Sequence, residues 1–215
     1  MPIKKLTPEE ELEHVQKMYE IEHAKYSEGK KFIAGVDEAG RGPLAGPVYA
    51  AAVILPADLF IPQLNDSKKL TEKKREELFE IITKNAIAYS IASVDEKRID
   101  EINILNATFE AMNSAVDSLS VAPDYVLIDG NRIKNMTIPH ETVVKGDAKS
   151  ASIAAASILA KVARDRYITQ ISEQYPQYGF EKHKGYGTAA HNEAILKYGP
   201  CEIHRRTFLR KLLGE

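Results

Sequence analysis

Phe32-Ile33-Ala34-Gly35-Val36-Asp37-Glu38-Ala39-Gly40-Arg41-Gly42-Pro43-Leu44-Ala45-Gly46-Pro47-Val48 decides how this chain is read. Phe32–Val36 is a short apolar run with strand character, and it ends in two adjacent acids. A turn rich in Gly and Pro follows, and Val48–Leu55 resumes as a second apolar strand. The pattern predicts a hairpin with an elaborate loop. The loop is not a phosphate-binding P-loop, because no Lys-Ser/Thr follows its glycines. It is not a dinucleotide fingerprint either, since the spacing is GxGxxxG and the next element reads as a strand. Glycines at Gly40 and Gly42 let backbone N–H groups approach a substrate closely, and Arg41 could grip a phosphate. A plain Gly/Pro hairpin turn is the competing explanation when the two acids are ignored.

Outward from this hairpin, Pro8–Ser27 reads as a helix with Pro8 and several Glu in its first turn, where the dipole favours them. Its apolar stripe is thin, so a partly detached extension packed on the core is expected. A charged helix runs to about Lys84 with Thr71 as N-cap. Ile87–Val94 reads as a third strand, a helical region follows over about Ile99–Leu119, and Asp124–Asp129 and Glu141–Val144 are the fourth and fifth strands. One long helix spans about Ser150–Gln174, and shorter ones cover Ala189–Tyr198 and Thr207–Leu213. This order predicts an α/β fold with a mixed five-stranded sheet and helices on both sides. There is no internal repeat, and no domain boundary is visible before about residue 175.

Carboxylates end three of the predicted strands beside a glycine. Asp37 and Glu38 close the first, Asp129 closes the fourth in Val126-Leu127-Ile128-Asp129-Gly130, and Asp147 follows the fifth in Val143-Val144-Lys145-Gly146-Asp147. Any one of them is adequately explained as a turn former or helix cap. If the strands are neighbours, four carboxylates meet, and such a cluster repels itself unless cations neutralise it. Two divalent ions about 4 Å apart would do so and would support phosphodiester hydrolysis.

Other segments offer phosphate contacts alongside structural explanations. Asn65-Asp66-Ser67-Lys68-Lys69-Leu70 reads as a turn and cap, or as a hydroxyl, an amide and a cation facing a phosphate. The small residues from Ser150 onward suit a helix packed tightly on a sheet. Lys161 and Arg164 lie one turn apart and could track a nucleic-acid backbone, although Lys161 falls about 20 Å from Asp147 along a straight helix. Lys182-His183-Lys184-Gly185-Tyr186-Gly187-Thr188 places a tyrosine between glycines, where it could stack on a sugar or meet a 2′-hydroxyl; an ordinary surface loop is the alternative.

Composition narrows the classes. The 215 residues are 44% hydrophobic and 28% charged, with one cysteine, Cys201. That excludes an intrachain disulfide and a thiolate zinc cluster, and favours oxygen ligands for Mg2+ or Mn2+. No apolar run reaches membrane-spanning length, and Met1-Pro2-Ile3-Lys4-Lys5 leads into an acidic helix rather than a signal region, so a cytoplasmic protein with no membrane partner is expected. Residues 148–215 carry 11 Lys and Arg against 6 Asp and Glu, whereas residues 1–147 carry 18 against 25. An acidic front and a basic back suit a metal site beside a polyanion-binding surface, or reflect one lobe that happens to be basic.

The motifs occur together in one family. Asp37-Glu38-Ala39-Gly40-Arg41-Gly42-Pro43-Leu44-Ala45-Gly46-Pro47-Val48 resembles the signature of bacterial ribonuclease HII, the type II ribonucleases H. Asp66-Ser67-Lys68-Lys69-Leu70, Ile128-Asp129-Gly130, Lys145-Gly146-Asp147, Ala155–Asp165, Gly185-Tyr186-Gly187-Thr188 and His204-Arg205-Arg206-Thr207-Phe208 match as well. The resemblance runs from about Phe32 to Phe208, and Gly40-Arg41-Gly42 separates it from the type III enzymes. It implies a ribonuclease H-like catalytic domain over residues 32–175, a helical lobe over 176–215 and an extension over 1–31. It implies that Asp37, Glu38, Asp129 and Asp147 hold Mn2+ or Mg2+ and are catalytic. It further implies that Gly40, Arg41, Gly42 and Tyr186 read the 2′-hydroxyl at the cut, and that Ser67, Lys68, Lys161 and Arg164 contact phosphates. The implied substrates are RNA–DNA hybrids and duplex DNA containing ribonucleotides, cut to leave a 5′-phosphate and a 3′-hydroxyl by a monomer that serves ribonucleotide removal and RNA primer processing. A nucleic-acid-binding module without catalysis is the rival class, disfavoured because four acids would repel the ligand. A small-molecule phosphate enzyme is a third, weakened by the missing P-loop and fingerprint.

Overall fold

The computed structural model describes residues 7–215; Met1–Leu6 lie outside the described residues, and with them the first six residues of the expected extension. The elements in chain order are α1 (Pro8–Met18), α2 (Glu20–Ser27), β1 (Ile33–Ala39), β2 (Val48–Ile54), α3 (Glu72–Asn85), β3 (Ala88–Val94), α4 (Glu96–Asp117), β4 (Tyr125–Asp129), β5 (His140–Val143), α5 (Ala151–Ser172), α6 (Phe180–His183), α7 (Ala189–Tyr198) and α8 (Arg206–Leu213). The five strands form one sheet in the order β3-β2-β1-β4-β5. β1 and β2, and β2 and β3, pair antiparallel, whereas β1, β4 and β5 run parallel. This is the mixed sheet with helices on both faces that the alternation of elements predicts.

Side chains alternate across the sheet. Val36, Val48, Ala50, Ala52, Val126 and Ile128 pack with α4 on one face. On the other face Ala51 and Val53 pack with α3 and α5. α5 lies directly on β1, because Gly35 lacks a side chain: a Cβ there would stand 2.1 Å from the backbone carbon of Ser152. The Ala154–Ala156 run on α5 serves the same close approach, and all three residues are fully buried.

Three local readings change. The first predicted helix is two, because Tyr19 ends α1 and opens α2. These helices are not detached: Val15, Met18 and Tyr19 join the α3–α5 core. Glu22 is fully buried, and its Oε1 accepts from Ser150 Oγ (2.6 Å) and Ser152 N (3.0 Å) at the start of α5. A carboxylate there answers the positive end of the helix. α4 is also broken, at Asn103 with φ 67°, whose Oδ1 accepts from the backbone N–H groups of Leu105 and Asn106. The C-terminal helices gather round Tyr178, Phe180, Ile195 and Leu209, and this cluster also takes in Ala45 of the β1–β2 loop and Ile168 of α5.

Candidate metal centre

Strand register brings the first acids together. Val36 of β1 stands opposite Ile128 of β4 in a parallel pair, so Asp37 and Asp129 come next on neighbouring strands at the same edge of the sheet. Ligand oxygens of Asp37, Glu38 and Asp129 all lie within 4.8 Å of one another. β5 is parallel to β4, so the turn after it returns to the same edge. There Lys145 takes a left-handed conformation (φ 58°), and Gly146–Ala148 forms a short 3-10 turn carrying Asp147. The Gly146 N–H donates to Asp129 Oδ1 at 2.6 Å, tying the Asp147 turn to the Asp129 carboxylate. Asp147 stands beside the three-acid group rather than within it, next to Asp66 and Asp129.

The electrostatics are those of crowded carboxylates. Burial, then the charges of Glu38 and Asp129, push the Asp37 carboxyl well above its ordinary range. Burial also raises Glu38, although Arg41 Nη1 sits 3.3 Å from Glu38 Oε1 and opposes the shift. Burial, Asp66 and Asp129 raise Asp147. Among the described residues, the cation that faces the whole group is Lys68, with Nζ 3.6 Å from Asp147 Oδ2. Burial works against its ammonium, but Asp37, Asp147, Asp66 and Asp129 outweigh that and raise its pKa. Oxygen-only ligands in a cluster that one lysine cannot neutralise fit a hard divalent cation such as Mg2+ or Mn2+.

The expected phosphate contacts divide. Lys68 is exposed and beside the acids. Ser67 is buried, and its Oγ lies 2.8 Å from Ser157 Oγ on α5. The Ser157 hydroxyl favours the ionised form of Asp37, so Ser67 is tied to the acid edge through its contact with Ser157. Lys161 is engaged by Asp165 at 2.6 Å. Arg164 is 1% exposed and donates to the carbonyls of Pro47 (3.2 Å), Ala45 (3.0 Å) and Lys184 (3.0 Å). Reading Arg164 as a phosphate contact is corrected: α5 is central, and this face of it meets the β1–β2 loop rather than solvent. Tyr186 is exposed and lies against Gly42, where an added Cβ would meet its Cε1 at 3.5 Å.

Sequence reasoning assigned no role to Asp66, Ser157, His191 or Arg205. Asp66 was visible only as a cap, and it does accept from Lys68 N at 2.9 Å. Ser157 passed as a small packing residue. His191 Nδ1 and the Tyr186 carbonyl are 2.9 Å apart, His191 Nε2 and His204 Nε2 are 3.0 Å apart, and the Cys201 N–H donates to His204 Nδ1 at 2.9 Å. These bonds fix the tautomers: His204 donates to His191, and His191 donates to the Tyr186 carbonyl. Burial lowers both imidazoles to about 4, with the Tyr186 carbonyl opposing at His191 and the two rings disfavouring each other's charge at His204.

The sequence model of the family described as Ribonuclease HII matches residues 34–211. Ribonuclease HII of Caldicellulosiruptor saccharolyticus is 61% identical over 195 residues, which cover 91% of this chain and 95% of that protein. Ribonuclease HII of Caldanaerobacter subterraneus is 57% identical over 205 residues, covering 95% of this chain and 85% of that one. Among solved structures, the ribonuclease H2 of Pyrococcus horikoshii superposes with a TM-score of 0.69 at 30% identity, covering 85% of this chain and 97% of that one.

Proposed function

Because the chain belongs to the ribonuclease HII family, we propose that it is a metal-dependent endoribonuclease that cuts RNA paired with DNA and duplex DNA at embedded ribonucleotides, leaving a 5′-phosphate and a 3′-hydroxyl. The observation that carries this reading is the meeting of Asp37, Glu38 and Asp129 at one sheet edge, with Asp147 beside them. These four carboxylates hold the divalent ions. Bound Mg2+ or Mn2+ supplies a polarised water and stabilises the departing 3′ oxygen. The Glu38 N–H keeps the Asp37 carboxylate aimed, and the Gly146 N–H does the same for Asp129. Lys68 offers a positive charge to a phosphate entering beside Asp147. Gly40, Arg41 and Gly42 face the ribose with backbone groups, and Tyr186 closes the other side of the 2′-hydroxyl. The cellular role that fits is removal of ribonucleotides from DNA and processing of RNA primers.

The deciding experiment offers the protein, with Mg2+ or Mn2+, a DNA duplex containing one ribonucleotide and the same duplex without it. Cutting at the ribonucleotide alone is expected. Equal cutting of both duplexes would sink the ribose-sensing part of the reading.

A further inference from the structure

We infer that two buried arginines, Arg205 and Arg164, are the positioning residues that set ribonucleotide recognition, because they fix which way the peptides of the Gly40–Pro47 loop point. The inference rests on the reading above that this loop faces the ribose.

Arg205 is fully buried. All five of its N–H donors are used, and every acceptor is a carbonyl of the β1–β2 loop. Nε donates to Gly46 (2.9 Å), Nη1 to Arg41 (3.0 Å) and Pro43 (2.9 Å), and Nη2 to Gly40 (2.6 Å) and Gly46 (2.6 Å). Arg164 continues the pattern with Ala45 and Pro47, and adds Lys184, two residues before Tyr186. One guanidinium thus shapes the loop, and the other joins it to the tyrosine segment. Among the described residues neither makes an ion pair. Burial lowers both guanidiniums, Arg205 to about 9. Burying two cations for packing alone is costly.

Peptide geometry supplies the consequence. In a trans peptide the C=O of one residue and the N–H of the next point opposite ways, and no cis peptide interrupts this loop. With the Gly40 and Arg41 carbonyls turned inward onto Arg205, the N–H groups of Arg41 and Gly42 are turned outward. The other outward candidates are taken: Leu44 N donates to the Gly185 carbonyl (2.9 Å) and Gly46 N to that of Ile203 (2.9 Å), and Pro47 has no N–H. Arg41 and Gly42 keep theirs without a partner among the described residues, between the acids and Tyr186. Two adjacent free N–H groups over buried positive charge form a preorganised cradle for an electron-rich oxygen. Lysine could keep the charge but could not bridge the carbonyls, since only the planar fork offers five donors in fixed directions. Gly40 is matched to this device: its φ is +97°, and a Cβ would strike Arg164 Nε at 2.1 Å.

The test is Arg205→Lys, assayed on the single-ribonucleotide duplex, with Mn2+ binding to the free protein measured by calorimetry. The expected result is a fall in kcat/KM of about 100-fold with Mn2+ affinity held within about twofold. Wild-type cleavage by the variant, or equal losses of cleavage and Mn2+ binding, would overturn the assignment; the second outcome would mark a merely structural role. If the variant does not fold, amide exchange in the wild type decides. Arg41 and Gly42 amides should exchange freely in the free protein and become protected on the ribonucleotide duplex with Ca2+. Protection in the free protein would mean the peptides face inward and would refute the proposal. Failure of the parent reading is seen separately, as wild-type cutting of an all-DNA duplex.

Discussion

The acid edge of the sheet and the loop beside it are joined at Ala39, yet they are held in place by opposite means. Asp37 and Asp129 meet because parallel strands share a register, and a few nearby bonds trim their aim. Gly40–Pro47 has almost no internal hydrogen bonding of its own; it is shaped by side chains from residues 164 and 205, far along the chain. The first region carries negative charge that works against folding, and the second carries positive charge folded beneath it. On the proposed reading, attracting metal and testing a sugar rest on separate supports, so each is open to separate perturbation.

Asp37→Asn should have the largest effect and should break the comparison on one side only. Cleavage should fall by about 1,000-fold or more if Asp37 holds metal as proposed, since the ligands act as a unit. Binding of a ribonucleotide duplex should stay within about threefold, because phosphate contacts dominate affinity. Removing a buried, self-repelled carboxylate should also raise the melting temperature of the metal-free protein. A lower melting temperature would show that the acids are held as structural partners rather than in tension.

The same contrast explains how much could be read in advance. The sheet, the long helix and the acids were legible because alternation, capping at Thr71 and strand ends are local properties of sequence. Ala189–Tyr198 even matches its element end to end. Arg164 was misread as a phosphate contact because helical spacing gives a residue's neighbours on its own helix, and says nothing of what the other faces meet. Arg205 was quoted within His204-Arg205-Arg206 without a role, since nothing local shows that one arginine of a pair is buried under a loop 159 residues earlier. Glu22 hid in a surface-like acidic helix for the same reason, although it sits at the start of α5. The break at Asn103 went unread for a different reason: its side chain caps the N–H groups of Leu105 and Asn106 within an otherwise helical pattern.

The next effect is the pH dependence of stability that two histidines add on the loop side. His191 and His204 have folded pKa values of about 4, below the ordinary 6.5. Between those values the unfolded chain binds more protons than the folded one, so stability falls as pH drops from about 6.5 toward 4, and neither imidazole contributes a slope above that window. At pH 5 the loss is on the order of 2 kcal/mol per histidine. The acids with raised pKa work in the opposite sense, so the comparison must be differential. Urea midpoints at pH 7 and pH 5 should fall less for His191→Gln than for the wild type. An equal fall in both would remove His191 from the acid sensitivity.

Tyr186→Phe should give the smallest effect and the sharpest separation. The ring is exposed and rests against Gly42, so losing the hydroxyl leaves no buried group unsatisfied and the fold unchanged. What goes is one hydrogen bond to a 2′-oxygen, about 1–1.5 kcal/mol, or roughly tenfold in kcat/KM on a single-ribonucleotide duplex. The acid edge should not register the change, and Mn2+ binding should be that of the wild type. The preference for a ribonucleotide over a deoxynucleotide at the cut should shrink by the same factor. If instead the variant cleaves normally with its preference intact, the tyrosine is only a wall, and the whole of ribose selection falls to the two outward N–H groups of Arg41 and Gly42, which Arg205 holds in place.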